Sequence, residues 1–231
     1  QLWNLDGVAF DSSVRSIRLE GGGRLSMGDF ELALDIDRIQ LDQHLRERIP
    51  PALRLIWDSY HPTGVASLRH TLILRDAQPV KNSTELSISQ GSLRFQEPDI
   101  LVDQLSGKVE ITPDAISFRD PLEGKFFGAQ ALLSGKIELD ALEPGRSDLE
   151  LAIDGLVFEP RIYEVLPEAI QKAWDNFSPS GEFGLRVSAA SEEYPPTVKE
   201  MRIVLAEVDG SYFDYPYPLR SLQGEIRYFD G

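Results

Sequence analysis

The sequence predicts a mainly β protein with short helices: a curved antiparallel sheet built from two stacked copies of one module. Three observations predict it. First, IPPALRLIWDSYHPTG recurs as LPEAIQKAWDNFSPSG, which places Trp57 on Trp174 at an offset of 174 − 57 = 117 residues. Second, most of the remaining sequence alternates apolar and polar residues with period two, the mark of strands with one buried face. Third, one stretch in each copy carries apolar residues at helical spacing instead. Self-similarity at so long a period marks a stacked module. The copies are taken as residues 1–117 and 118–231, with the phase of the division arbitrary, in a chain that reads as a piece of something longer.

The offset holds without a gap. Leu34, Ile36, Asp37, Ile39 and Leu41 fall on Leu151, Ile153, Asp154, Leu156 and Phe158. Phe30, Leu32, Leu34 and Ile36 share one strand face, as do Leu149, Leu151 and Ile153. Parity then breaks in both copies, after Asp37-Arg38 and after Asp154-Gly155, which predicts a β-bulge at each site. The helical stripes follow. Leu45, Ile49, Leu53, Ile56, Trp57 and Tyr60 match Ile162, Leu166, Ile170, Ala173, Trp174 and Phe177. Pro50 and Pro167 interrupt them, predicting two short helices or one kinked helix with the proline opening the second part. Pro62-Thr63-Gly64 and Pro179-Ser180-Gly181 end the helical region with turn chemistry.

Further strand faces are Ala66, Leu68, His70, Leu72 and Leu74, matched by Phe183, Leu185, Val187 and Ala189. Leu101, Leu105, Val109 and Ile111 form another. The longest runs from Phe127 through Ala129, Ala131, Leu133, Gly135 and Ile137 to Leu139. Loops are expected at 76–84 and 191–197. The opposite faces are rich in Arg, Lys, Glu, Gln and Ser, so the sheet should be antiparallel with one wet face.

Composition narrows the function classes. The net charge of −15 repels a nucleic-acid backbone, so no nucleic-acid partner is expected. With no cysteine, disulfides, thiolate metal sites and cysteine nucleophiles are all excluded. No apolar run is long enough to span a bilayer as a helix.

Catalytic signatures are absent: no G-x-S-x-G, H-E-x-x-H, Walker loop or G-x-G-x-x-G. Gly21-Gly22-Gly23 reads as a turn or bulge. Ser106-Gly107-Lys108 and Ser134-Gly135-Lys136 lie inside strand patterns, where glycine relieves crowding at a bend. His44, His61 and His70 are replaced in the second copy by Arg161, Ser178 and Val187, so a histidine metal site would exist in one copy at most. His70 reads as a satisfied inner-face residue, with a ligand role as the alternative. Asp37 and Asp154 recur at the bulges, a whole module apart, too far to act as a glycosidase pair. Trp57 and Trp174 lie on apolar helix stripes, which favours core packing over sugar stacking. No cofactor is expected, and no enzyme activity.

Strands of the form ALLSGKIEL and DQLSGKVEI, a strand–helix–strand insertion ending in P-x-G, and end-to-end repetition resemble the AsmA-like proteins of bacterial envelopes. That group stands with TamB and YhdP, and more distantly chorein, among repeating β-groove lipid-transfer proteins. The resemblance implies that the curved sheet is an open groove, or taco, and that stacked modules form a trough that shields phospholipid acyl chains while headgroups stay in water. It also implies a periplasmic or cell-envelope location, an anchor outside this segment, and neighbouring modules of the same chain as partners. The energetic scale is suitable, because an acyl chain of about 16 methylenes gains roughly 13 kcal/mol on leaving water, at about 0.8 kcal/mol per CH₂. The expected lining is Leu68, Leu72, Leu105, Val109, Ile111, Leu133 and Ile137, then Leu185, Val187, Leu222 and Ile226. The alternative is a structural or adhesive β-sandwich repeat of a large surface protein, which would have a closed, dry core. An enzyme or carbohydrate-binding module would need a cleft of converging acids or exposed aromatics.

Overall fold

The computed structural model describes residues 2–11, 14–24, 29–95, 100–140 and 143–229. Its first half contains strands β1 (Leu2–Asp11), β2 (Val14–Arg24) and β3 (Asp29–Leu41), helices α1 (Gln43–Arg48) and α2 (Pro51–Tyr60), then β4 (Thr63–Arg75), β5 (Gln78–Phe95) and β6 (Ile100–Ile111). The second half contains β7 (Ala115–Phe118), β8 (Leu122–Phe126), β9 (Ala129–Asp140), β10 (Glu143–Val157), α3 (Pro160–Tyr163), α4 (Glu168–Phe177), β11 (Glu182–Ser191), β12 (Thr197–Tyr212) and β13 (Tyr215–Phe229). All 13 strands form one antiparallel sheet in meander order, with β7 and β8 sharing the place between β6 and β9. The mainly β class and the antiparallel sheet are as the alternation predicts, and the sheet is curved as expected.

Both bulges lie where parity breaks. The β3–β4 register shifts between Ile36 and Ile39, and the β10–β11 register shifts between Ile153 and Leu156. The residue that takes up the slack has positive φ in each case: Arg38 at 59° and Gly155 at 79°. Other backbone features also recur at 117 residues. His61 and Ser178 cap the helices with φ of 39° and 40°, and Gln104 and Ser221 have φ of 51° and 52°.

The helical hairpins form as the prolines predict. Pro50 and Pro167 adopt nearly the same extended N-cap geometry, φ −55°, ψ 149° and φ −56°, ψ 148°. Different side chains then make the same clasp. Arg46 Nε donates to Asp58 Oδ1 at 2.5 Å in the first hairpin, and the Tyr163 hydroxyl donates to Asp175 Oδ2 at 3.0 Å in the second. Across the kink, Arg54 Nε donates to the Ile49 carbonyl and Gln171 Nε2 to the Leu166 carbonyl, at 2.9 and 3.0 Å. Each bond occupies a carbonyl that the proline break leaves without a helical donor.

Four expectations are corrected. The span 76–84 is not a loop: Asp76 and Ala77 make a tight turn and β5 begins at Gln78. Gly21, Gly22 and Gly23 lie within β2 and pair on both sides, with Leu5, Asn4 and Trp3 and with Leu32, Glu31 and Phe30. Phe127 is outside the long strand, in the β8–β9 turn with φ 49°. Leu101 is exposed while Val102 and Leu105 are buried. The positive φ of Gln104 between them reverses which face the strand presents, an irregularity that sequence parity does not register.

Curvature follows from what α2 touches. It packs against both β5 and β10, which are four strand positions apart. Laid flat, that distance is about 19 Å at about 4.8 Å per strand, whereas a helix is only about 10–12 Å across. The sheet therefore bends around α2. Glycine permits the bend: a Cβ at Gly135 would lie 2.1 Å from the Asp148 carbonyl oxygen on the adjoining strand.

Candidate functional site

Residues directly opposite one another on antiparallel strands share a face, so the register assembles the apolar face row by row. Ile36, Leu68, Leu86, Val109 and Phe118 form one row across β3 to β7. Ala131, Ile153, Leu185, Ile203 and Ile226 form another across β9 to β13, and beside it run Leu133, Leu151, Val187, Met201 and Tyr228. The opposite face is lined by ion pairs such as Asp35–Arg69 at 2.6 Å, Glu85–Lys108 at 2.9 Å and Asp154–Arg186 at 2.7 Å. These are solvent-exposed and contribute at most about 1 kcal/mol each. They keep that face wet.

All eleven expected lining residues lie on strands of this one sheet, but they are not equally accessible. Leu105, Val109, Ile137 and Leu185 are buried in a closed core with Leu122, Phe126, Ile153, Leu156 and Phe183. Ile162, Leu166 and Ile170 close that core from the helical side. These four positions therefore pack against protein and present no free surface. Leu68, Leu72, Ile111, Leu133, Val187 and Leu222 are half-buried, and Ile226 is 40% exposed. The face is thus sealed by the helical hairpins over one part and partly open over the rest.

The residues weighed for chemistry have structural partners. His70 Nδ1 lies 2.9 Å from Thr84 Oγ1 on the neighbouring strand, the satisfied inner-face role. Asp154 pairs with Arg186, and Asp37 accepts from Ser67 Oγ at 3.2 Å. Trp174 meets Phe158 and Tyr163 edge-on at 4.8 and 5.7 Å, which is core packing. Among the described residues no group of three or more His, Asp or Glu is arranged to hold a metal ion. No helix among them is long and apolar enough to cross a membrane.

Two cavities lie against the charged face. One, of about 350 Å³, is lined by Asp35, Asp37, Ser67, Arg69, Glu85 and Ser87. The other, of about 170 Å³, includes Ser134, Glu150, Arg186, Glu200 and Arg202. The first cavity's floor holds the cross-strand pair Asp35–Arg69 and the Ser67–Asp37 hydrogen bond, and the second holds the pair Glu200–Arg202 within β12.

One cluster escaped the sequence reading. Tyr60 at the end of α2 meets Phe95 of β5 edge-on at 5.3 Å. The buried Tyr194 hydroxyl, from the β11–β12 connection, faces the hydroxyls of Tyr60 and Ser59 without a well-directed hydrogen bond. The available signal was the aromatic pair Tyr60 and Phe95 recurring as Phe177 and Tyr212, whose rings lie 5.2 Å apart.

Burial pushes the Tyr60 phenol well above the ordinary tyrosine value and raises that of Tyr194. A raised value in the folded state means that stability is intact below the unfolded-state value of about 10 and falls as pH rises above it. The urea midpoint is therefore expected to drop between pH 9 and pH 11, and Tyr60→Phe is expected to lessen the drop. An identical pH profile for the variant would exclude Tyr60 as a cause.

In comparisons with protein-family models, curated proteins and solved structures, no match was found for this chain.

Proposed function

We propose that the partly open apolar face is a groove segment that shields the acyl chains of a phospholipid or similar lipid, with headgroups left in water. The observation that carries this reading is the half-buried row Leu133, Leu151, Val187, Met201 and Tyr228, continuous across β9 to β13. Four strand spacings make it about 19 Å wide. Apolar contact is non-directional, so acyl chains are held without a specific polar ligand. In this reading the lining is Leu68, Leu72, Ile111, Leu133, Val187, Leu222 and Ile226, and the buried positions are the structural backing. A bacterial-envelope setting, with neighbouring modules extending the trough, belongs to the same proposal.

The closed core around Leu105, Val109, Ile137 and Leu185 favours a second reading, a structural or adhesive repeat whose apolar face is simply its interior. Native mass spectrometry of the purified chain, together with uptake of a fluorescent phospholipid from vesicles, separates the two. Co-purifying lipid and saturable uptake are the expected results. A chain that is lipid-free in every preparation and takes up no label overturns the groove reading and leaves the structural one.

A further inference from the structure

The apolar face is divided at its middle by α2. Its half-buried lining includes Leu68 and Leu72 on β4 and, further along the sheet, Val187 and Met201 on β11 and β12. Between these stretches α2 packs against both β5 and β10. On the strands it spans, Leu105, Val109 and Ile137 are buried, and Leu53, Ile56 and Tyr60 of α2 pack against the core that contains them. An acyl chain moving from one stretch to the other therefore meets α2.

The α1–α2 hairpin is joined firmly within itself and lightly to the sheet. Arg46 holds Asp58 through two charge-assisted bonds of 2.5 Å, and Arg54 donates to the carbonyls of Ile49 and Glu47 at 2.9 and 2.7 Å. Towards the sheet the packing is apolar and incomplete. No described side chain of α2 is fully buried, and Leu55 is 54% exposed. Tyr60 touches Phe95 edge-on. Tyr194, from the second copy, lays its buried hydroxyl against those of Ser59 and Tyr60 without a well-directed hydrogen bond. Such a hydroxyl regains a partner in water once the hairpin withdraws, which favours opening. Asp42 and His61-Pro62, which carry the hairpin, are element-terminal positions of the kind that absorb hinge motion. Beyond them β3 and β4 are paired from Leu41 with Gly64 onward, so the hinge has a fixed base. We infer that the α1–α2 hairpin is a gate in the groove: it swings away from β5 and β10 as one rigid unit and joins the two stretches of lining into a single path for an acyl chain. Tyr194 is its latch, so a residue of the second copy controls access along the first. This inference rests on the groove reading, and adds to it a closed and an open state.

The absence of cysteine in the natural chain makes the test direct. A Ser59→Cys, Tyr194→Cys double variant is bridged across the latch with a short, reducible bis-maleimide. Uptake of fluorescent phospholipid from phosphatidylcholine vesicles is then measured before bridging, after bridging and after reduction. The bridged chain is expected to lose uptake and the reduced chain to regain it. Tyr60→Ala, which removes the contact with both Phe95 and Tyr194, is the second variant. It is expected to take up phospholipid faster than the natural chain, with amide exchange rising over residues 43–60 while the strands stay protected. A merely structural role for Tyr60 would not speed uptake. Bridged protein that takes up phospholipid as fast as the unbridged double variant overturns the gate and leaves the groove standing, as does a folded Tyr60→Ala chain with slowed uptake. A natural chain that takes up no phospholipid removes the groove, and the gate with it.

Discussion

Gly64→Ala is expected to cost about 4 kcal/mol or more of stability, at the extreme of what a single methyl group does. A Cβ at this position would lie 1.9 Å from the Gln90 carbonyl oxygen and 2.7 Å from the Gly91 Cα. Both atoms are backbone, part of the ladder in which Gly64 pairs with Gly91, so no side chain is available to swing aside. The φ of +118° adds strain for any residue with a Cβ. Relief requires separating β4 from β5 at the point where the chain returns from α2 to the sheet. Gly224→Ala is the control. Its φ is similar, +142°, but nothing lies within 4 Å of the added carbon, so it bears only backbone strain, about 1–3 kcal/mol. Urea unfolding of the two variants under identical conditions measures the difference. Equal midpoints would mean that the close approach of β4 to β5 is not present in solution.

That prediction rests on a feature the sequence presented only as punctuation. Gly64 reads as the end of a P-x-G turn, and nothing in the string says that a neighbouring carbonyl sits where its side chain would be. Period-two alternation located the strands because a half-buried strand must alternate. It located the bulges at Arg38 and Gly155 for the same reason, since an inserted residue breaks parity where it occurs. It failed at Leu101 because the irregularity at Gln104 reverses the face, so that Val102 and not Leu101 is buried with Leu105. It failed at Phe127 because a tight turn between β8 and β9 has the same apolar look as a strand end. The six-position helix stripes, by contrast, hold through two hairpins clasped by different side chains, Arg46 with Asp58 and Tyr163 with Asp175. Burial was the least legible property. Leu105 and Val187 read alike from alternation, yet Leu105 is enclosed and Val187 is half-buried. A single sequence position carries no record of its neighbours across the sheet.

Val187→Glu is expected to lower phospholipid uptake by about 30-fold while leaving the fold intact. Val187 stands between Leu151 and Met201 in the half-buried row, and its own side chain is half-buried. A carboxylate there retains its water, and an acyl chain crossing the row loses contact with about two or three methylenes. At about 0.8 kcal/mol each the loss is about 2 kcal/mol, which is a factor of about 30 in affinity. Because the glutamate reaches solvent along the open side of the row, the stability cost should stay near about 1 kcal/mol. Ile137→Glu is the contrasting case. At 3% exposure the new carboxyl has no route to water, so this variant is expected to lose its fold as well as its uptake. Ser117→Glu places the same charge on the opposite face, between Lys136 and Glu110, and should leave uptake unchanged at a small stability cost. Uptake measured with unfolding midpoints for all three variants separates a groove from an interior. If Val187→Glu folds and takes up phospholipid as well as the natural chain does, acyl chains do not lie on this row. If it unfolds as Ile137→Glu does, the row is interior, and the half-exposure of Val187 marks only the margin of a closed core.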